Sequence, residues 1–506
     1  MSNPSQAAIE NPAGLNRAGP VAVVLGLCVL LCLALRLPGL DGSLMIDEAG
    51  SIAQASARDY WSVARQDVHP PLFYMLLRAG LEVTASVPFL RLFSVACGIG
   101  LAALAVWAMR PSVPGAVVAG ATVALLPQFV FHSQQLRPYA LVYLLLGIAL
   151  ALAARPVAHR AEKTATPVVL AVVLLAAAAT HLVTVFFLVA LVPLLVWGAN
   201  PRPLLARALS LWPLVPAGLL LLWFKFGFVS QPKDIPDGWW LPPTDLRSIL
   251  AALAEASGWN NVEWLSDAAA RRWSVAGGGV LAVAATALVV AFGIAWRAKD
   301  AKPLNFLLPI TALVYLAALV CYSMNFEPIL LGRILVPGLL PLGAGLAWGI
   351  GHHPRQAWRW IGVAAVAVYL VCAILPTIRR SFVPVAGLRG LAETMRNGYR
   401  PGDRIILFRS LDYGLAPYWP QLAGLAPTEF NATRSSPAQL AALRGALADL
   451  GPDDRIWLAY RDDYYFRINA PAYEAVRAEI AAQHRAIRVY WHENDLTLLL
   501  AEPPSR

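Results

Sequence analysis

Apolar runs of roughly twenty residues, the length a helix needs to cross a bilayer core, alternate with short polar breaks along most of the chain. Eleven such spans are read: 20–38, 89–108, 115–132, 138–154, 166–181, 182–199, 208–229, 274–296, 303–322, 329–351 and 359–378. Residues 166–199 could form one long helix, but the polar pair Thr180-His181 at the middle favours a two-helix hairpin. Hydropathy alone leaves 71–87 ambiguous. Arg78 and Glu82 lie in mid-segment, where each charge costs about 2.5–3.5 kcal/mol on insertion scales. The distribution of basic residues decides it. If 71–87 stays on the outer surface, Arg110, Arg155, Arg160, Lys163, Arg202, Arg207, Arg297, Lys299, Lys302, Arg355 and Arg359 all fall in the cytoplasm. The segment is therefore expected to be an amphipathic helix along the outer face. The first apolar run, Val21–Pro38, lacks a small-x-small cleavage site and reads as a retained span.

The pattern changes after residue 378. Acids and bases balance, and helical periodicity (386–399, 437–450) alternates with short β-rich runs, Arg404–Arg409 and Arg455–Tyr460, each behind a Pro/Gly/Asp turn. Arg488–Trp491 and Leu496–Leu500 could pair as a hairpin. The expected architecture is an all-α polytopic membrane bundle of about 11 transmembrane helices with a small C-terminal extracytoplasmic α/β domain. Its parts are a cytoplasmic N-terminus (1–19), the bundle (20–378, with outer loops 39–88 and 230–273) and a periplasmic domain (379–506).

Composition agrees. The 506 residues are 58% hydrophobic and 14% charged, against about 25% charged in soluble proteins. The net charge of +10 is spread over the breaks between spans, which suits anchoring to anionic lipid and gives no nucleic-acid patch. Cys28, Cys32, Cys97, Cys321 and Cys372 all lie in apolar segments, so no disulfide is expected.

Chemistry concentrates at the outer ends of the spans. Asp47-Glu48 follows the first span; adjacent residues on a helix diverge by about 100°, so one acid can face a reacting group while the other holds a metal, an arginine or a backbone amide. His69-Pro70-Pro71 sets two successive φ angles and presses the histidine towards an extended conformation; the same tripeptide would also suit a plain helix start. Arg137-Pro138-Tyr139 opens the fourth span, where arginine can clamp a phosphate bidentately or anchor at headgroups. Arg333 lies four residues into an apolar span, a position that calls for a lipid phosphate, Glu327 or snorkelling. Arg91 could bind similarly or anchor, and His181 reads more readily as a helix-pairing residue than as a ligand. Lys233, Asp234, Asp237, Glu255 and Glu263 in the long outer loop are not distinguished by spacing. The chain lacks a Walker A loop, a dinucleotide fingerprint and an HExxH motif.

Taken in order, Asp47-Glu48, Asp67-Val68-His69-Pro70-Pro71-Leu72, Leu90–Ser94, Ser133–Tyr139, Thr180-His181 and Gly332-Arg333 resemble the GT-C superfamily of membrane glycosyltransferases. The similarity is to the branch holding the protein O-mannosyltransferases and the lipid A aminoarabinose transferase. It implies inverting transfer of a sugar from a polyprenyl-phosphate donor to a hydroxyl of a glycan, lipid or protein acceptor at the outer face. The retained apolar N-terminus and the Ala/Arg/Gly-rich usage suit a bacterial inner membrane, which makes that face periplasmic. Within it, Asp47 would be the general base and Glu48 its support. His69, Arg91, Arg137, Tyr139 and Arg333 would bind substrate. Glu48 and His69 would hold a divalent metal ion if one is used, and no nucleotide cofactor is implied. The sequence departs from the eukaryotic mannosyltransferases after HPP, where Leu72-Phe73-Tyr74 replaces a lysine-containing segment. The rival reading is a polytopic transporter or lipid flippase. Against it, the acids gather in one outer loop, and the chain ends in a soluble domain.

Overall fold

The computed structural model describes residues 18–65, 67, 69–159, 165–198, 203–228, 244–258, 267–298, 303–382, 387–408, 411–425, 427–430, 454–461, 478, 481, 486–493 and 496–502. The helices are α1 (Ala18–Arg36), α2 (Ile46–Ser56), α3 (Tyr60–Ala64), α4 (Leu72–Val83), α5 (Val87–Ala108), α6 (Val113–Leu125) and α7 (Pro127–Ser133). They continue as α8 (Tyr139–His159), α9 (Ala165–Thr180), α10 (Thr184–Gly198), α11 (Leu204–Leu209), α12 (Val215–Trp223) and α13 (Leu246–Ala256). After these come α14 (Asp267–Trp296), α15 (Leu304–Asn325), α16 (Gly332–Gly351), α17 (Gln356–Phe382), α18 (Gly387–Gly398) and α19 (Leu411–Leu415).

The chain divides into two compact units: residues 1–40 with 61–382, and 41–60 with 383–506. The first loop is thus split, and its acidic helix α2 belongs with the C-terminal residues.

In the first unit, each of the eleven expected spans falls on a helix or on consecutive helices. Six segments among the described residues are long and apolar enough to cross a membrane, seven with the bent pair α6–α7, and four apolar helices are shorter. The chain is a multi-pass membrane protein. At 12 residues, α4 is about 18 Å long, too short to span. It buries Phe73, Tyr74 and Leu77 on one face and exposes Met75, Leu76 and Val83.

The 55° bend between α6 and α7 has a visible cause and repair. Pro127 has no N–H to give the Val123 carbonyl, and a helix end in an apolar bundle leaves orphan acceptors. Arg36, 0% exposed at the end of α1, supplies the donors: Nη2 to Val123 O at 2.9 Å and Nη1 to Ala124 O at 3.0 Å. Gln134 Nε2 in turn donates to the carbonyls of Leu35, Arg36 and Pro38, the orphans of α1. Apolar side chains of the spans fill the core around these ties, from Cys32 and Leu101 to Tyr315 and Ile350.

The second unit is built on a mixed sheet of β1 (Arg404–Phe408), β2 (Thr428–Phe430), β3 (Ile456–Arg461), β4 (Ala486–Glu493) and β5 (Leu496–Glu502), in the order β2-β1-β3-β5-β4. The β1 pairings are parallel, and β3–β5 and β4–β5 are antiparallel. The expected β-runs, the β4–β5 hairpin and the helix near 386–399 all form. The expected helix at 437–450 lies outside the described residues, as do Lys233, Asp234, Asp237, Glu263 and the tryptophans of the long loop. Asp403, just before β1, accepts from Arg455 Nε and Nη2 at 3.0 and 2.6 Å, from Trp457 Nε1 at 2.8 Å and from the Arg400 N–H at 2.8 Å. These donors satisfy the hydrogen-bonding capacity of the buried carboxylate.

Candidate active site

Within the first unit, four separate stretches bring polar groups together. The loop before α4 supplies Asp67 and His69. Their spacing of two lets one carboxylate serve both backbone and ring, as Asx turns do. Asp67 Oδ1 accepts from the His69 N–H at 3.2 Å and lies 3.0 Å from His69 Nδ1. Tyr74, one turn into α4 and buried, donates its hydroxyl to the same carboxylate. Burial alone would raise the Asp67 carboxyl, but the charge and hydrogen bonds of His69 and the charge of Arg137 outweigh it. It is held well below the usual carboxylate range. With Nδ1 engaged, His69 turns Nε2 away from Asp67, the arrangement that fixes an imidazole tautomer.

The turn after α9 supplies His181, 5% exposed. Its ring meets those of His69 (5.1 Å between centroids) and Tyr139 (5.3 Å). Nδ1 accepts from the Val183 N–H at 3.0 Å, which leaves the proton of the neutral ring on Nε2. That atom is buried and has no hydrogen-bond partner among the described residues. Burial first, then the positive charges of His69, Arg137 and Arg333, push this ring well below the usual histidine value.

The start of α8 supplies Arg137 and Tyr139, and the start of α16 supplies Arg333. Both guanidinium carbons lie 5.9 Å from the Tyr139 ring centroid, within cation–π range. Two half-buried cations near one aromatic ring make a strongly positive locus. Three further bonds hold the α16 start: Tyr143 OH donates to Arg333 O at 2.8 Å, Tyr315 OH to Ile334 O, and the Gly332 N–H to Glu255 Oε2 at 2.8 Å. A Cβ on Gly332 would meet the Glu255 side chain at about 2.5 Å, so only glycine fits this approach.

The other expected residues have these positions. Arg91 is buried and donates to Leu40 O at 2.7 Å, tying the end of the first span to α5. Glu327, considered as a partner for Arg333, is engaged by Lys225 Nζ at 3.2 Å and Tyr322 OH at 3.2 Å. Asp47 and Glu48 open α2 in the second unit. Glu48 is buried, and its Oε2 accepts from the Met45 N–H at 2.9 Å, the returning half of a capping box. The Asp47 carbonyl accepts from Ser51 Oγ at 2.9 Å, and the residue is half-buried. Glu48 closes its helix through Oε2 and His69 holds Asp67 through Nδ1, and no group of three or more His, Cys, Asp or Glu gathers among the described residues. No step is derived through a metal.

Sequence reasoning did not single out Asp67, Tyr74, Glu255 or Arg36. The D-x-H-P-P-L-F-Y order carried a signal for the first two. The roles of Glu255 and Arg36 depend on partners 77 and 87–88 positions away and leave none.

No protein-family model matches the sequence, and no curated protein matches it. Solved structures do. The crystal structure of ArnT from Cupriavidus metallidurans in the apo state superposes with a TM-score of 0.55 at 13% identity, covering 96% of this chain and 98% of that one. The same protein bound to undecaprenyl phosphate gives 0.51 at 14% identity, covering 95% and 98%. ArnT is the lipid A aminoarabinose transferase, of the GT-C type. At this identity the likeness speaks for fold, and it extends over nearly the whole of both chains, the C-terminal unit included. This multi-pass membrane protein therefore has the ArnT-like GT-C fold that its motifs implied.

Proposed function

We propose that the protein is a membrane glycosyltransferase that moves a sugar from a polyprenyl-phosphate carrier to a hydroxyl acceptor, with inversion, at the periplasmic face of a bacterial inner membrane. The observation that carries this reading is the pair Arg137 and Arg333, drawn from distant helices to one tyrosine ring. As the glycosidic bond breaks, the lipid phosphate gains negative charge. Guanidiniums already in place stabilise that charge where water is scarce. The neighbouring His181 Nε2–H offers a neutral donor to a phosphate or sugar oxygen. The undecaprenyl phosphate bound by ArnT supports a carrier of this class.

The attacking hydroxyl must lose a proton, and Asp47 is our assignment for the base, with Glu48 fixing the helix that carries it. A phosphate leaves without protonation, so one base suffices, unlike the paired carboxylates of hydrolases. The Asp67–His69 pair gives a specific second candidate, because a neutral His69 ring that donates Nδ1–H to the Asp67 carboxylate leaves Nε2 to accept a proton. Sugar release from a labelled undecaprenyl-phosphate donor by purified protein tests both. Asp47→Asn is expected to abolish turnover with donor binding retained. Full turnover in Asp47→Asn together with loss in His69→Asn would move the base to His69. Binding of the donor with no release under any acceptor would favour the transporter reading.

A further inference from the structure

A cavity lies in the first unit, apart from the residues just described. It holds about 390 Å³ among α5, α6, α7, α8, α15 and α16. Its walls are apolar, and small residues open the space: Ala105 and Ala108 on α5, Ala151 and Ala154 on α8, and Gly343 and Ala344 on α16. The space opens at the surface of the bundle, where Trp107, Arg110 and Arg155 are exposed, and water would find few polar partners along its apolar walls.

The charge is confined to one end. Arg110 and Arg155 line the cavity with Trp107 and Trp348, and no acid is among the lining residues. Arg110 sits over the Trp107 ring, with Cζ 4.4 Å from its centroid, and both arginines are exposed. Tryptophans and arginines mark a membrane–water interface, and the positive-inside reading assigns this end to the cytoplasm. An apolar shaft with a cationic rim is complementary to one kind of molecule in a bilayer, an acidic lipid. Basic pockets between spanning helices take such headgroups.

We infer that this cavity is a binding site for an acidic phospholipid, its acyl chain in the shaft and its phosphate at Arg110 and Arg155. The lipid has a structural route to the chemistry. Phe129 lines the shaft and packs edge-on against Tyr143 at 5.8 Å, and Tyr143 holds the Arg333 carbonyl. An acyl chain filling the shaft supports Phe129 from behind.

Native mass spectrometry of the purified full chain, loaded with phosphatidylglycerol or phosphatidylcholine, tests the site. One phosphatidylglycerol should be retained per chain, with a preference on the order of tenfold over phosphatidylcholine. The preference should vanish in the double variant Arg110→Gln/Arg155→Gln. Occupancy should fall in Gly343→Leu, where the new side chain starts 3.4 Å from Thr122 and grows into the void. Ala151→Leu narrows the shaft from the opposite helix and serves if Gly343→Leu does not fold. Equal retention of the two lipids overturns the proposal, as does undiminished retention in a folded occluded variant. Displacement of phosphatidylglycerol one for one by undecaprenyl phosphate also overturns it, making the shaft a carrier-tail site instead.

Discussion

His181 carries a pH dependence of its own. Burial and neighbouring cations hold its ring well below the usual 6.5, so the folded state stays neutral while the unfolded state takes up a proton near that value. Stability from this residue is full above 6.5 and falls as the pH drops below it, until the folded ring also protonates. Thermal unfolding of the purified protein from pH 8 to 5 should show that decline, and His181→Asn should flatten it. A slope unchanged in the variant would mean that another group titrates. Asp67 acts at lower pH with the same sign, since its depressed carboxyl stabilises the fold above its ordinary range and loses that contribution on acidification. Arg333→Ala should lower kcat/KM on the order of a hundredfold. Arg333→Lys should keep part of it, through charge without the planar fork. Equal and small effects of the two changes would leave Arg333 as a headgroup anchor. Arg137, Arg333 and His69 stood out as candidates because a charge or a rigid tripeptide at a span end is conspicuous in sequence, although anchoring or a plain helix start would have the same signature. His181 was read as a helix-pairing residue because nothing in the sequence shows that Val183 takes up one ring nitrogen and leaves the other buried.

At the level of elements, hydropathy placed the spans well because membrane crossing is a local property of some twenty residues. It could not foresee that Pro127 would bend the third span, or that Arg36 would answer the bend. Arg36→Met should destabilise the bundle by about 1–3 kcal/mol for each carbonyl left unsatisfied. Pro127→Ala added to it should recover part of the loss, because an alanine N–H can again reach Val123. Thermal shifts of the two single variants and the double variant measure this directly, and no recovery would locate Arg36's importance elsewhere. Gly332→Ala tests the α16 start in the same way. Its Cβ would collide with Glu255, and the resulting shift of Arg333 should cost activity before it costs stability. Glu255 stood among several loop acids with no distinguishing spacing, and only the folded contact shows that it caps a helix.

On the scale of the molecule, orientation is the claim that everything outward-facing depends on. Cysteines placed at Gly238 and Asp453 should react with a membrane-impermeant label from outside, and those at Lys163 and Lys299 should not. External labelling at Lys163 would invert the topology. The first loop read as one outer segment, yet its acidic helix α2 groups with the C-terminal unit, packed against α19. The Leu44 N–H donates to Tyr418 OH at 2.7 Å, and the Arg389 N–H to Ser43 Oγ at 3.0 Å. A sequence cannot announce that allegiance, because the contacts join positions more than three hundred residues apart. The C-terminal residues are consequently no detachable appendage, since they form one unit with residues 41–60. A chain stopped after Phe382 would keep Arg137 and Arg333, yet leave the Asp47 helix without the α19 partner it packs on. If the proposed transfer holds, the shortened chain should still capture a polyprenyl-phosphate donor and fail to pass the sugar on.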